Sequence, residues 1–411
     1  MKAVLSSENR NTRETEIAVT GSKSESNRLL ILQALYPNLS IENLSESDDT
    51  VLLSKGLKIQ NGIVDIHHAG TAMRFLTAYF AGKEGVEIVL TGSARMQERP
   101  IGVLVDALRS LGASIEYENE EGYPPLKISG KNLSEERVSV AANISSQYIS
   151  ALMLLAPSLS NGLNIMLEGK VTSVPYITMT LALLERLGIH GSFLKNEISI
   201  PSAENIKDIS IVVESDWSSA SYFYSIAALS ENIKIRLTSY RKDSLQGDAA
   251  LSRIYETLGV KTEFLEEENA IVLSKFDLEI NNEIYFDLAN TPDIAQTIAV
   301  CSFGLGKGCV LTGLHTLKIK ETDRLTALKV ELEKLGARVN ISRDSLHLYP
   351  SNEMRAHVAI DTYHDHRMAM AFAPLGLLVP ITIKDSGVVS KSFPSFWKDM
   401  KTVGISVDFI S

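Results

Sequence analysis

Several short stretches of this 411-residue chain combine cations, hydroxyls and carboxylates as small-anion binding and proton transfer require. Gly21-Ser22-Lys23-Ser24-Glu25-Ser26-Asn27-Arg28 runs into the apolar segment Leu29–Leu35. Small residues with free N–H groups at a helix start, together with Lys23 and Arg28, make an anion site. A nucleotide P-loop is excluded, because Ser22 and Ile17 stand where it needs glycines; a solvated, well-capped helix start is the plain alternative. His68-Ala69-Gly70-Thr71-Ala72-Met73-Arg74 opens another apolar helix, and Gly70 lets backbone approach an anion closely. In Arg95-Met96-Gln97-Glu98-Arg99-Pro100, Arg95 can fork onto a carboxylate or phosphate, or serve as a surface arginine. Ser145-Ser146-Gln147-Tyr148 and Ser173-Val174-Pro175-Tyr176 place donors at two further helix starts, where capping is the commoner role.

The second half carries the acid/base chemistry. Asp293 follows Pro292 at a helix start and suits either a buried base or an N-cap. Lys320-Glu321-Thr322-Asp323-Arg324 would put Lys320 and Arg324 on one face if helical, as in an anion clamp or a salt-bridged surface helix. In His364-Asp365-His366-Arg367 the Arg367 cation beside His366 disfavours a divalent ion, and no HExxH or Cys/His partner accompanies it, so no metal site is expected. Lys391-Ser392-Phe393-Pro394 adds a last cation.

These cations stand out because the chain is acidic overall, with net charge −10. Nucleic acid and anionic membranes demand a basic face, so neither is an expected partner. A small anionic substrate is the economical explanation. With only Cys301 and Cys309 there is no disulfide framework. The 45% apolar and 22% charged composition is that of a globular protein. The apolar stretch Ala369–Ile383 is broken by Pro374 and Pro380 and falls short of a membrane span. Met1–Glu16 offers no signal-peptide core. A cytoplasmic monomer is expected.

The elements that must position these motifs repeat. In Pro100–Ile128 an amphipathic helix buries Ile101, Leu104, Val105, Leu108 and Leu111, stops at Gly112, and gives way to an alternating strand-turn-strand. The same grammar returns at Gly188, Gly259, Gly336 and Gly404, spaced 76, 71, 77 and 68 residues apart, with a weaker first copy near Gly56. Six α/β units in two lobes of three fill the chain. The last unit lacks a hairpin partner, which a strand near Ala3–Leu5 would supply.

Taken in order, GSKSESNR, AGTAMRF, RMQERPIG, SSQY, SVPY, DWSSASYF, DSLQGD, TPDIAQT, KETDRL, YHDHRMAM and KSFP resemble the EPSP synthase (3-phosphoshikimate 1-carboxyvinyltransferase) family, from Lys23 to Lys391. The resemblance implies a two-lobed, inside-out α/β barrel-like fold with three βαβαββ-type units per lobe. One lobe would be 1–20 plus 241–411 and the other 21–240, with the active site in the cleft between them. It implies transfer of the enolpyruvyl group of phosphoenolpyruvate to the 5-hydroxyl of shikimate 3-phosphate through a tetrahedral ketal, with no cofactor. Matching positions imply shikimate 3-phosphate contacts from Lys23, Ser24, Arg28, Ser145, Ser146, Gln147, Ser173, Tyr176, Asp293 and Lys320. Phosphoenolpyruvate would meet Lys23, Gly70, Arg95, Gln147, Arg324, Arg367 and Lys391. Asp293, Glu321 and Lys23 would carry the proton transfers, Asp293 as base for the 5-hydroxyl.

The chain departs from the family pattern at His68 (usually Asn), Phe75 (usually Pro) and Thr316 (usually Asn), so His68 and Thr316 stay outside the expected site. Bulk at Phe75 is expected to tilt its helix and weaken competition by glyphosate. The sister transferase that uses UDP-N-acetylglucosamine normally has Lys-Asn in the first motif, whereas Ser24 follows Lys23 here. A non-catalytic homologue would have lost Lys23, Asp293 or Glu321, and all three are present.

Overall fold

The computed structural model describes residues 1–7, 13–141, 145–169, 171 and 174–410. The chain forms two compact units, a terminal one of Met1–Thr20 with Glu214–Ser411 and an inner one of Gly21–Val213. The second crossing therefore falls at Val213/Glu214 and not at the expected 240/241. The reason is long-range pairing: strand Ile233–Thr238 runs parallel to Arg13–Ile17, which draws residues 214–240 into the terminal unit.

The inner unit holds helices α1 (Lys23–Leu35), α2 (Asp48–Gly56), α3 (Gly70–Ala81), α4 (Ala94–Gln97), α5 (Gly102–Ser110), α6 (Ser146–Leu155) and α7 (Val174–Arg186). The terminal unit holds α8 (Trp217–Leu229), α9 (Leu251–Glu256), α10 (Ala295–Gly304), α11 (Arg324–Lys334), α12 (His366–Phe372) and α13 (Phe396–Thr402).

One β-α-β-α-β-β grammar recurs. Asn61–Asp65 is parallel to Glu87–Thr91, with α3 as the crossover between them; after α5 comes the hairpin of Ser114–Tyr117 and Leu126–Ser129, whose second strand pairs antiparallel with Glu87–Thr91. Arg137–Ala141 and Leu163–Glu168 repeat it around α6, with the hairpin Ser192–Leu194 and Glu197–Ile200 following α7. The terminal unit has three sheets of the same order. In the last of these Lys2–Ser7 lies antiparallel between Ile381–Ile383 and Ile405–Ile410, supplying the missing hairpin partner. The remaining inner sheet is only the parallel pair Leu39–Glu42 and Ile209–Val212.

The glycine marks have a local cause. Gly112, Gly188, Gly259, Gly336 and Gly404 all have φ between 80° and 105°, a left-handed turn after the second helix of each repeat that a Cβ would penalise. Gly56 is the last residue of α2, and the next strand opens a new repeat without a hairpin.

Within each repeat the first helix is the buried one. α8 and α10 are made mostly of small and apolar side chains, α12 follows its opening His366 and Arg367 with Met, Ala and Phe, and all three are covered nearly all round. α3 is buried along its whole length, and α1 and α6 over most of theirs. The second helices α5 and α11 keep one face in solvent. The buried first helices begin at the motifs read above, so sequence position becomes spatial grouping.

Candidate active site

In the inner unit the grouping is made by helix starts. Ser22 caps α1, leaving Lys23 and Ser24 in its first turn, and Ser145 caps α6, with Ser146 and Gln147 next. α3 has no side-chain cap at Ala69; instead the Thr71 N–H donates to Asp49 Oδ2 at 3.4 Å and the Arg99 guanidinium packs on Gly70. The Gln147 amide donates to Thr71 Oγ1 at 3.4 Å, joining the starts of α6 and α3.

Arg28 ties the helices together. Its Nε donates to Thr180 Oγ1, Nη1 to the Ser24 carbonyl and Nη2 to Ser150 Oγ, each at 2.8 Å. The rings of Phe75 and Tyr176 lie 5.5 and 5.6 Å from the guanidinium. All three hydrogen bonds go to neutral oxygens. Burial pushes the Arg28 pKa down to about 10, with the Tyr176 hydroxyl and Glu25 pulling it back only in part. A buried cation so weakly compensated is primed for an anionic ligand.

The terminal unit gathers charge differently. Arg324, the first residue of α11, donates from Nε to Asp365 Oδ2 at 2.6 Å, from Nη1 to Asp293 Oδ1 at 2.9 Å and from Nη2 to Glu321 Oε2 at 2.7 Å. Lys320 Nζ stands 3.6 Å from Asp293 Oδ1, and Arg367 Nη2 stands 3.4 Å from Asp293 Oδ2. Burial alone would lower the Arg324 guanidinium, but Asp365, Glu321 and Asp293 outweigh it and hold it above its ordinary value. Arg367 is likewise raised against burial, mainly by Asp293. Both arginines stay charged. Lys391 Nζ donates to the His364 carbonyl at 2.7 Å.

The structure thus brings Asp293, Lys320, Glu321, Arg324 and Arg367 together, and separately Arg28 with Ser24 and Tyr176. Asp293 does not stand at a cap position, since those of Pro292–Ile294 and α10 are Thr291 and Ile294. The helical reading of Lys320–Arg324 is corrected: α11 starts only at Arg324, with Asp323 as its cap, and Lys320 converges with Arg324 through their shared Asp293 oxygen. His364 and His366 do not converge either, one being exposed against Asp385 and the other buried.

Arg95 is not drawn into the group. It is 66% exposed and paired with Glu98, while the Arg99 guanidinium is the one packed on Gly70, where a Cβ would lie 2.5 Å from Nη1. Two arginines four apart look alike in sequence, so only the turn of α4 separates them. Ser173 lies outside the described residues. Phe75, read as bulk, forms one wall of the Arg28 site.

Asp248 escaped the sequence reading. It accepts a short hydrogen bond from Ser218 Oγ, which in turn receives one from Arg367 Nη2 at 3.3 Å. Burial, reinforced by Asp293, pushes the Asp248 pKa up to about 6. Below about pH 6 the carboxyl is neutral and its support for Ser218 and Arg367 weakens, so kcat/KM is expected to fall as pH drops through that value. For stability the sign is opposite. Between about pH 4 and 6 only the folded state holds this proton, so its contribution declines as pH rises. Initial rates and melting curves from pH 5 to 8 check both signs; a flat rate profile would contradict the first.

Two solved structures share this fold. EPSP synthase from Acinetobacter baumannii superposes with TM-score 0.79 at 20% identity, and the enolpyruvyl transferase NikO from Streptomyces tendae with 0.73 at 14%, each covering 100% of both chains. The sequence profile of EPSP synthase (3-phosphoshikimate 1-carboxyvinyltransferase) matches residues 38–400. The 3-phosphoshikimate 1-carboxyvinyltransferase of Bacteroides fragilis (strain YCH46) is 43% identical over 395 residues, covering 95% of each chain. That of Haemophilus influenzae (strain PittEE) is 36% identical over 429, covering 95% of this chain and 96% of the relative. The chain belongs to the EPSP synthase family.

Proposed function

We propose that this enzyme transfers the 1-carboxyvinyl group of phosphoenolpyruvate to the 5-hydroxyl of shikimate 3-phosphate, releasing phosphate. The carrying observation is the Asp293 carboxylate held among Lys320, Arg324 and Arg367. Those cations are placed to turn to substrate phosphate and carboxylates, which leaves the carboxylate to accept a proton. In this reading Lys23, Ser24, Arg28, Ser145, Ser146, Gln147, Ser173, Tyr176, Asp293 and Lys320 hold shikimate 3-phosphate, and Lys23, Gly70, Gln147, Arg324, Arg367 and Lys391 hold phosphoenolpyruvate, joined by Arg95 once it turns from Glu98 to the ligand. Glu321 gives a proton to the methylene carbon, and the 5-oxygen adds to C2 as Asp293 takes its proton. The ketal then loses phosphate and a methyl proton. Fixed cations offset the repulsion between the two anions. Thr316 joins the shikimate contacts, because its Oγ1 is buried and has no hydrogen-bond partner among the described residues.

The enzyme acts as a cytoplasmic monomer on these two small anions, and the net charge of −10 suits neither nucleic acid nor an anionic membrane. Among the described residues no helix is long and apolar enough to cross a membrane. The test is phosphate release measured with each substrate alone and with both. Release is expected only with both present and not when UDP-N-acetylglucosamine replaces shikimate 3-phosphate; release with that nucleotide sugar would favour the sister reaction.

A further inference from the structure

Between strand Val358–Ile360 and α12 the chain makes a reverse turn, with the Asp365 N–H donating to the Thr362 carbonyl at 2.8 Å. Its central residues, Tyr363 and His364, have φ of 54° and 56°. Two adjacent left-handed residues are ordinarily Gly, Asn or Asp, and bulky side chains persist there only when their surroundings hold them. This strained turn immediately precedes Asp365 and Arg367.

The holding groups are visible. Glu331, fully buried on α11, accepts from the Tyr363 hydroxyl at 2.6 Å, from the Asp361 N–H at 3.1 Å and from Lys334 Nζ at 2.7 and 2.8 Å. Seven residues earlier on the same helix, Arg324 grips Asp365. α11 therefore clamps the turn on both sides, before it through Glu331 and after it through Arg324.

We propose that Tyr363 and Glu331 are positioning residues, whose hydrogen bond keeps the 363–364 turn left-handed and thereby holds Asp365 on Arg324 and Arg367 on Asp293. Neither is among the proposed substrate contacts. The effect on rate rests on the transferase reading above, whereas the geometric effect does not.

The test is Y363F, which removes one hydroxyl and leaves Glu331 its other partners. Its kcat/KM for phosphoenolpyruvate is expected to fall about 10- to 100-fold, as for sub-ångström to ångström misplacement of binding groups. Shikimate 3-phosphate affinity by calorimetry should stay within a few-fold of wild type. Adding H364N, a residue tolerant of the left-handed region, should restore most of the loss. In a crystal structure of Y363F the Asp365–Arg324 contact should open beyond hydrogen-bond range. Wild-type constants in Y363F, a loss that H364N leaves uncorrected, or an unchanged contact each overturn the proposal. Absence of turnover in the wild type would sink the transferase reading, and the crystal structure would still decide this one.

Discussion

Asp293→Asn is expected to lower turnover by about 10²–10⁴, the usual worth of a positioned acid or base, while substrate binding stays close to wild type. Asparagine keeps the shape and an acceptor for Arg324 Nη1, now 2.9 Å away. It removes the basicity that the 5-hydroxyl requires. It also removes a negative charge facing Lys320 and Arg367, which frees both cations for anionic ligands. KM for phosphoenolpyruvate should therefore hold or fall, even as kcat collapses. Single-turnover phosphate release under saturating substrate, with calorimetric binding of shikimate 3-phosphate, separates the two effects. Near-normal turnover would move the base to another residue, with Glu321 first in line at 2.7 Å from the same guanidinium.

What the sequence made legible was local chemistry. The five glycine marks could be read because a left-handed helix end is written in one residue, and the motifs because serines and cations at helix starts are contiguous. The crossing at Val213/Glu214 was not legible, because it depends on Ile233–Thr238 pairing with Arg13–Ile17 across more than half the chain. Buried partners were hidden for the same reason. Asp248 reaches Arg367 only through Ser218, and Glu331 reads as an ordinary helix glutamate until Tyr363 is folded onto it. Phe75 shows how a departure from a family pattern can mislead when taken alone. Its ring faces the Arg28 guanidinium, so its consequences run through that cation.

Arg28→Met is expected to weaken shikimate 3-phosphate binding about 30- to 3,000-fold, the range for truncating one partner of a buried charged pair, and at the same time to raise thermal stability. In the free enzyme this cation is 3% exposed and donates only to neutral oxygens, and its depressed pKa reports a burial cost that they leave unbalanced. Methionine fills similar volume and its sulfur suits the edges of the Phe75 and Tyr176 rings. The stranded hydroxyls have somewhere to go, since Thr180 Oγ1 already donates to the Tyr176 carbonyl at 2.8 Å and lies 3.3 Å from Ser150 Oγ. Replacing buried charge by well-packed apolar atoms is neutral or stabilising by about 1–4 kcal/mol, and each kcal/mol is worth about 2–4 °C in a domain of this size. A residue kept for structure would lose stability and affinity together. Opposite signs in calorimetric binding and in the melting temperature identify Arg28 as a charge held ready for its ligand at the expense of the fold, and a melting temperature that falls by several degrees would refute that assignment.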